Sequence, residues 1–213
     1  MVAEQVFGGL YGAIIVADPP SATPIAVNRE RILVISDITI GASGGVAAAS
    51  AMQLSTGREG AQVLVNGQLD PVLLARPGQR ERWRIINACT SRYLSLRLEG
   101  QQLQLLGLDS GRFTDPPPVT ELLLAAGNRA DLLVSTAAGT STLQLVPYDR
   151  GAAMGASMSG MGSPSASTST LGIATLSVTG TTAGPGVAAV PTQPPRRACG
   201  PNRYRGGGRS PSR

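Results

Sequence analysis

The sequence predicts an all-β protein, an antiparallel sandwich or barrel, and three observations carry that prediction. Within Pro77–Val134, Trp83 and Ile85 share one side of a strand while Arg82, Arg84 and Ile86 take the other, the period-two alternation of a half-buried strand. Leu94, Leu96 and Leu98 likewise oppose Tyr93, Ser95 and Arg97, so two consecutive strands share one apolar face. Further on, the apolar runs Glu121–Leu124 and Ala130–Val134 flank Gly127-Asn128, residues that supply the positive backbone angles of a tight reversal.

In chain order, Val6–Asp18 is expected to form one isolated strand, stopped by Pro19-Pro20, and Pro19–Arg29 a proline-broken linker. Arg31–Ile40 alternates Ile32, Val34, Ser36, Ile38 and Ile40 against Leu33, Ile35, Asp37 and Thr39, a strand expected to be buried on both faces at its start. Gly41–Gly60 is rich in Gly, Ala and Ser and is compatible with a loop or with a short helix through Val46–Leu54. Val63–Gln68 reads as a strand ending in an Asn-Gly turn, and Asp70–Pro77 as a connection. Gln102–Leu108 continues the sheet, and Ser141–Pro147 and Leu171–Val178 supply its last strands. Tyr148–Thr170 is low in complexity and holds Met154, Met158 and Met161. Beyond Gly180 no strand pattern remains, and the segment is too poor in apolar residues to offset its ordering entropy, so a disordered tail is expected.

Composition narrows the function classes. The hydrophobic content of 42% is ordinary for a globular chain. The formal charge of +5 resides in the tail: Arg196, Arg197, Arg203, Arg205, Arg209 and Arg213 lie among the last residues, where there is no acid, and the chain has no lysine. Only Tyr204 accompanies those arginines, so nucleic-acid association through the tail is the weakest reading. No apolar run approaches the roughly 20 residues of a membrane helix, and Met1–Gly9 lacks the pattern of an export signal. Cys89 and Cys199 are far apart, with no strand pattern to hold Cys199 near its counterpart, so no disulfide is expected and Cys89 reads as a buried thiol.

Candidate chemistry is sparse. Asp109 and Asp115 flank Arg112 and read as turn-formers or a surface ion pair, since paired carboxylates act as acid and base only where burial separates their pKa values. Gly41-Ala42-Ser43-Gly44-Gly45 follows a strand but lacks the Gly-Lys-Ser/Thr ending of a phosphate loop. Met154, Met158 and Met161 place three thioethers, the soft donors that suit Cu(I), in one loop; a filler loop is the plainer reading of the same residues.

The order of motifs resembles one family. FGGLYGAIIVADP is similar to the closing strand of the first domain of multicopper oxidases. The runs VLVNGQ, PGQRERWRIINACTSRYLSLRLEGQQLQLLGLDSGRF and PPPVTELLLAAGNRADLLV are similar to their second plastocyanin-like domain, with bacterial laccase-like enzymes of the copper-resistance group the nearest likeness. The resemblance implies a cupredoxin-like Greek-key sandwich. It implies the end of a first domain at residues 1–18, a linker at 19–30, the second domain at 31–180 with the methionine loop at 148–170, and a tail at 181–213.

For function, the resemblance implies a parent that oxidises Cu(I), Mn(II) or phenols by single electrons and reduces dioxygen to water. Its copper ligands are Cys, His and usually Met at a mononuclear site, and eight His at a three-copper cluster. This chain has no histidine, and Cys89 matches a core position of the second domain, so no such copper site is expected here. The expectation is therefore a fragment: a copper-free middle domain, inert alone, whose partners are the first and third domains. The export expected of the parent family to the periplasm or envelope has no counterpart signal in this chain, and the Arg/Gly terminus resembles coding read out of frame. A stand-alone module that binds Cu(I) or a protein partner is the alternative.

Overall fold

The computed structural model describes residues 2–16, 23–148, 169–185 and 188–192. Two sheets form the body. One has six strands in the order β3 (Gln62–Val65), β2 (Arg29–Ile38), β5 (Arg80–Asn87), β10 (Arg129–Ser135), β7 (Gln102–Leu108) and β8 (Gly111–Arg112). The other has five, in the order β4 (Val72–Ala75), β12 (Leu171–Val178), β11 (Gly139–Leu145), β6 (Leu94–Leu98) and β9 (Glu121–Leu124). A two-stranded ribbon, β1 (Thr23–Val27) with β13 (Ala188–Thr192), stands beside them. Most pairings are antiparallel, but β2 runs parallel to β5 and β4 parallel to β12, so the antiparallel expectation becomes two mixed sheets.

The alternation seen in sequence places the core. Trp83 and Ile85 of β5, Leu94, Leu96 and Leu98 of β6, Leu103 and Leu105 of β7, Leu132 and Val134 of β10, and Leu176 and Val178 of β12 all turn into one cluster between the sheets. Trp83, Leu94 and Leu176 are completely enclosed. Burial on this scale is the main favourable contribution, about 25 cal/mol for each Å² of apolar surface removed from water.

Several expectations are corrected. Val6–Val16, the described part of the expected Val6–Asp18 strand, forms none: α1 (Val2–Phe7) is a short helix, and Leu10–Val16 is irregular because among the described residues no neighbouring strand offers it a ladder. The linker contains β1 and the start of β2, and β13 lies in the stretch expected to be patternless; their two prolines, Pro24 and Pro191, sit opposite each other in the ribbon. The start of β2 is buried on one side only. Leu33 and Ile35 are inside, while Ile32 is 38% exposed. Asp70–Pro77 holds a true strand, β4, whose exposed Val72 and Leu74 hide its alternation.

The open choice at Gly41–Gly60 resolves into both alternatives. Loop residues precede α2 (Ala51–Thr56), which Ser50 and Gln53 start with a reciprocal capping box. The Asn66-Gly67 turn is as expected: Asn66 takes φ 53°, and its side chain holds the backbone of Val34 and Ile32. Of Gly127-Asn128, only Gly127 takes a positive φ, 82°; the turn carries the chain from β9 in one sheet to β10 in the other, so it is not a hairpin.

Candidate functional site

The two sheets use their outer faces differently, and the polar residues worth considering gather on or beside the six-stranded one. Its β5 alternates in a way that hydropathy alone conceals. Glu81 lies on the Trp83 side and is fully buried; it accepts from Trp83 Nε1 at 2.8 Å and from Arg31 Nε and Nη2 at 2.6 and 3.0 Å. That bidentate pair, with Arg31 Nη2 and Arg29 Nη1 both donating to the Leu74 carbonyl, ties β2 and β5 to edge strand β4 of the opposite sheet. A glutamate in phase with Trp83 and Ile85 was the available sequence signal, because a charge on a buried face requires a partner.

A second buried acid closes one end of the sandwich. Asp37 Oδ2 accepts from Gly60 N at 2.6 Å and from Arg92 Nε at 3.0 Å, and Arg92 continues to the Gly60 carbonyl and to Glu59. Gly60 passes so close to β2 that a Cβ there would lie 2.3 Å from Ile38 N. Cys89 sits beside this group, 5% exposed, and burial first, then the Asp37 charge, raises its thiol pKa far above the ordinary value. The buried-thiol expectation for Cys89 holds. Above the same end, Arg58 lies over the Phe7 ring at 3.6 Å and docks α1.

The outer face of the six-stranded sheet carries an ion network. Arg82 of β5 is 2% exposed; its Nε reaches Asp131 Oδ1 at 2.8 Å, and its Nη1 lies 3.4 Å from Glu30 of β2. Arg84 Nε donates to the same Glu30 at 2.7 Å. Arg112 joins from β8, with Nη2 3.2 Å from Asp131 Oδ2. Gly107, paired with Arg112 across β7 and β8, makes that crossing possible: a Cβ there would meet the Gly111 carbonyl at 2.5 Å and the Arg112 side chain at 3.4 Å. Of the two readings of Asp109 and Asp115 around Arg112, the ion pair gives way to Asp131, whereas the turn-former reading holds at Asp109. Asp109, held at φ 51°, instead accepts from Asn128 Nδ2 and Arg129 N at 2.9 and 3.0 Å and so binds the hairpin tip to the β9–β10 turn.

The Leu10–Val16 segment crosses this face. Tyr11 donates its hydroxyl hydrogen to Ser36 Oγ at 2.6 Å, and Gly12 and Ile14–Val16 overhang Arg82, Arg84 and the β7–β8 hairpin, enclosing a cleft of about 580 Å³. Ile14 and Val16 remain 92% and 77% exposed. At the other end of the same face, Leu106 and Leu133 are buried under Val27 and Ile25 of β1.

Met154, Met158, Met161 and Cys199 lie outside the described residues. Among the described residues, no three His, Cys, Asp or Glu side chains converge as a metal site. With no histidine in the sequence and the Cys89 thiol proton held firmly by its surroundings, the donors present do not fit the copper sites that the resemblance implies.

Comparison with known proteins accounts for the architecture. The family model for multicopper oxidases matches residues 30–143, just over half of the chain. The chain is 28% identical over 154 residues to multicopper oxidase LPR1 homolog 1 of Oryza sativa subsp. japonica, covering 67% of this chain and 26% of that protein. It is 32% identical over 140 residues to the cell division protein FtsP of Gallibacterium anatis, covering 63% and 29%, and 33% identical over 90 residues to copper resistance protein A of Pseudomonas syringae pv. tomato, covering 41% and 15%. Among solved structures, a multicopper oxidase from Campylobacter jejuni described as a metallo-oxidase superposes with a TM-score of 0.59 at 28% identity, covering 79% of this chain and 34% of that one. The chain thus spans less than a third of the length of these curated relatives. Its cupredoxin-like sandwich and the family match together establish that this chain belongs to the multicopper oxidase family.

Proposed function

We propose that the chain is the middle, copper-free domain of a multicopper oxidase and that it contributes packing surface while neighbouring domains contribute the copper ligands. The observation that carries this reading is the conjunction of a multicopper oxidase match over residues 30–143 with a sequence that has no histidine. Copper sites of this family's kind need nitrogen and sulfur donors in fixed geometry, and a thioether or a buried thiol alone does not replace imidazole. The face of the six-stranded sheet, with its buried Arg82 and its overhanging apolar segment, supports a role in contact with other domains.

The test is to load the purified chain with excess copper in air, then to measure blue absorption and oxygen consumption with a phenolic dye precursor and with Cu(I). No blue band and no turnover are expected. Blue copper with turnover would overturn the reading.

A second reading rests on Met154, Met158 and Met161, three thioethers that would capture Cu(I) without oxidising anything. It requires a competition assay in which replacing all three with leucine lowers Cu(I) affinity. Unchanged affinity removes it.

A further inference from the structure

At one end of the five-stranded sheet two tyrosines meet in the open. β11 pairs antiparallel with β6, Leu143 opposite Leu98 and Leu145 opposite Leu96, and Val146 N donates to the Ser95 carbonyl at 2.8 Å just beyond the last paired residues. The same register carried onward sets Tyr148 opposite Tyr93. Their rings stack there, with centroids 5.8 Å apart and planes 15° from parallel. Tyr93 is 39% exposed and Tyr148 is 40% exposed, so the backbone fixes the pair while solvent reaches both rings. Other oxidisable rings are placed differently: Trp83 is 1% exposed in the core, and Tyr11 commits its hydroxyl hydrogen to Ser36 Oγ.

We infer that Tyr93 and Tyr148 form a modification site, at which a one-electron oxidant converts the stacked pair into an intrachain dityrosine. Each phenol yields one electron to the oxidant and its hydroxyl proton to water, giving two phenoxyl radicals. A carbon–carbon bond then forms between ring positions ortho to the oxygens, and the hydrogens displaced from those carbons pass through water to the oxygens. Both phenols are restored, and the net loss is two electrons, taken by the oxidant, and two protons. Exposure admits the oxidant, the register keeps the partner ring at hand, and the fast rotamer motions of exposed side chains bring the ortho carbons together. In the unfolded chain the same two phenols are separated by a long loop whose closure costs entropy, so the coupling is a property of the fold. The new bond staples β6 to β11. The pair belongs to the five-stranded sheet, not to the face assigned to contact with other domains, and the inference stands whether or not the middle-domain reading does.

The experiment oxidises the full chain with photogenerated tris(bipyridine)ruthenium(III), with persulfate as the final electron acceptor, and maps the products by trypsin digestion and mass spectrometry. The monomer is expected to yield the peptide Tyr93–Arg97 joined to the peptide Ala130–Arg150, at their summed mass less two hydrogen atoms. Tyr93→Phe and Tyr148→Phe are each expected to abolish that product, and Tyr204→Phe to leave it unchanged. Both rings are partly exposed, so the phenylalanine variants keep the fold, and a urea transition matching the parent's verifies it. Oxidation of the parent in urea is expected to lose the product. Its absence from the folded monomer, its recovery from cross-linked dimers alone, its survival in either folded phenylalanine variant, or an equal yield from the unfolded chain would each overturn the assignment.

Discussion

The outer faces of the two sheets make opposite use of the same strand chemistry. On the five-stranded sheet, Arg97 and Glu121 pair at 3.1 Å with both side chains about two-fifths exposed, and Leu123 beside them is equally open. On the six-stranded sheet, Arg82 is 2% exposed within its network, and Leu106 and Leu133 are enclosed under β1. One face meets water; the other is built to be covered, and the N-terminal segment and the β1–β13 ribbon cover it. An arginine therefore means different things on the two faces. Arg97 is a solvated charge whose loss water can compensate, whereas Arg82 is a structural cation whose carboxylate partners are placed around it.

The most direct way to break this contrast is to remove one arginine from each face. Arg82→Ala is expected to cost about 3 kcal/mol, the low end for one partner of a buried pair, since Asp131 keeps Arg112. Arg97→Ala should cost about 0–1 kcal/mol. Urea unfolding of both variants checks this, and equal costs would abolish the distinction between the faces.

Leucines sharpen the same comparison. Leu133→Ala opens a cavity beneath β1 and should cost about 2–3 kcal/mol, against a few tenths for Leu123→Ala on the open face. A near-neutral Leu133→Ala would mean that the ribbon does not seal that end of the sheet.

How much of this was legible in the sequence follows from what alternation reports. Alternation found β2, β5 and β6, and apolar runs bounded by turn residues found β3, β7, β9, β10, β11 and β12, because each turns one side to the common core. It missed β4 and β8, where Val72 and Leu74 face outward and a two-residue strand has no period. It missed the ribbon because prolines argue against strands, although an edge tolerates them. It treated Val6–Asp18 as a strand on apolar content alone, yet a strand exists only with a partner to pair with. At the site, the Asp109-Ser110 hairpin was visible as turn chemistry, but the true partner of Arg112 was not: Asp131 lies on a strand that reaches it only through the sheet order β10-β7-β8.

Between the faces lies Cys89, and its effect is next in size. Its folded pKa is raised above that of an ordinary cysteine, about 8.5, so the unfolded chain releases this proton first as pH rises. The folded state then holds more protons than the unfolded one, and stability falls with pH. The contribution is complete below about pH 8.5 and is lost above it at up to about 1.4 kcal/mol per pH unit. Cys89→Ala should have a shallower alkaline slope of unfolding free energy than the parent, whatever its stability at neutral pH. Parallel slopes would show that the thiol is not held protonated.

The smallest effect belongs to the open face and tests its openness. Donation from the Ser95 hydroxyl, and then from Arg97, lowers the Glu121 pKa below the ordinary glutamate value of about 4.3. A depressed carboxyl stabilises the fold above its unfolded pKa, and that contribution disappears as pH falls through the folded one. Glu121→Gln should therefore lose less stability than the parent between about pH 6 and pH 3, by less than about 1 kcal/mol because the carboxylate and Arg97 are both exposed. Added salt supplies the discriminating condition. At about 1 M salt the Debye length shrinks to about 3 Å, which should remove the Arg97 share of the Glu121 difference and leave most of the Arg82→Ala cost in place, since a guanidinium that is 2% exposed is screened far less. Equal salt sensitivity at Arg82 and Glu121 would mean that water reaches both faces alike.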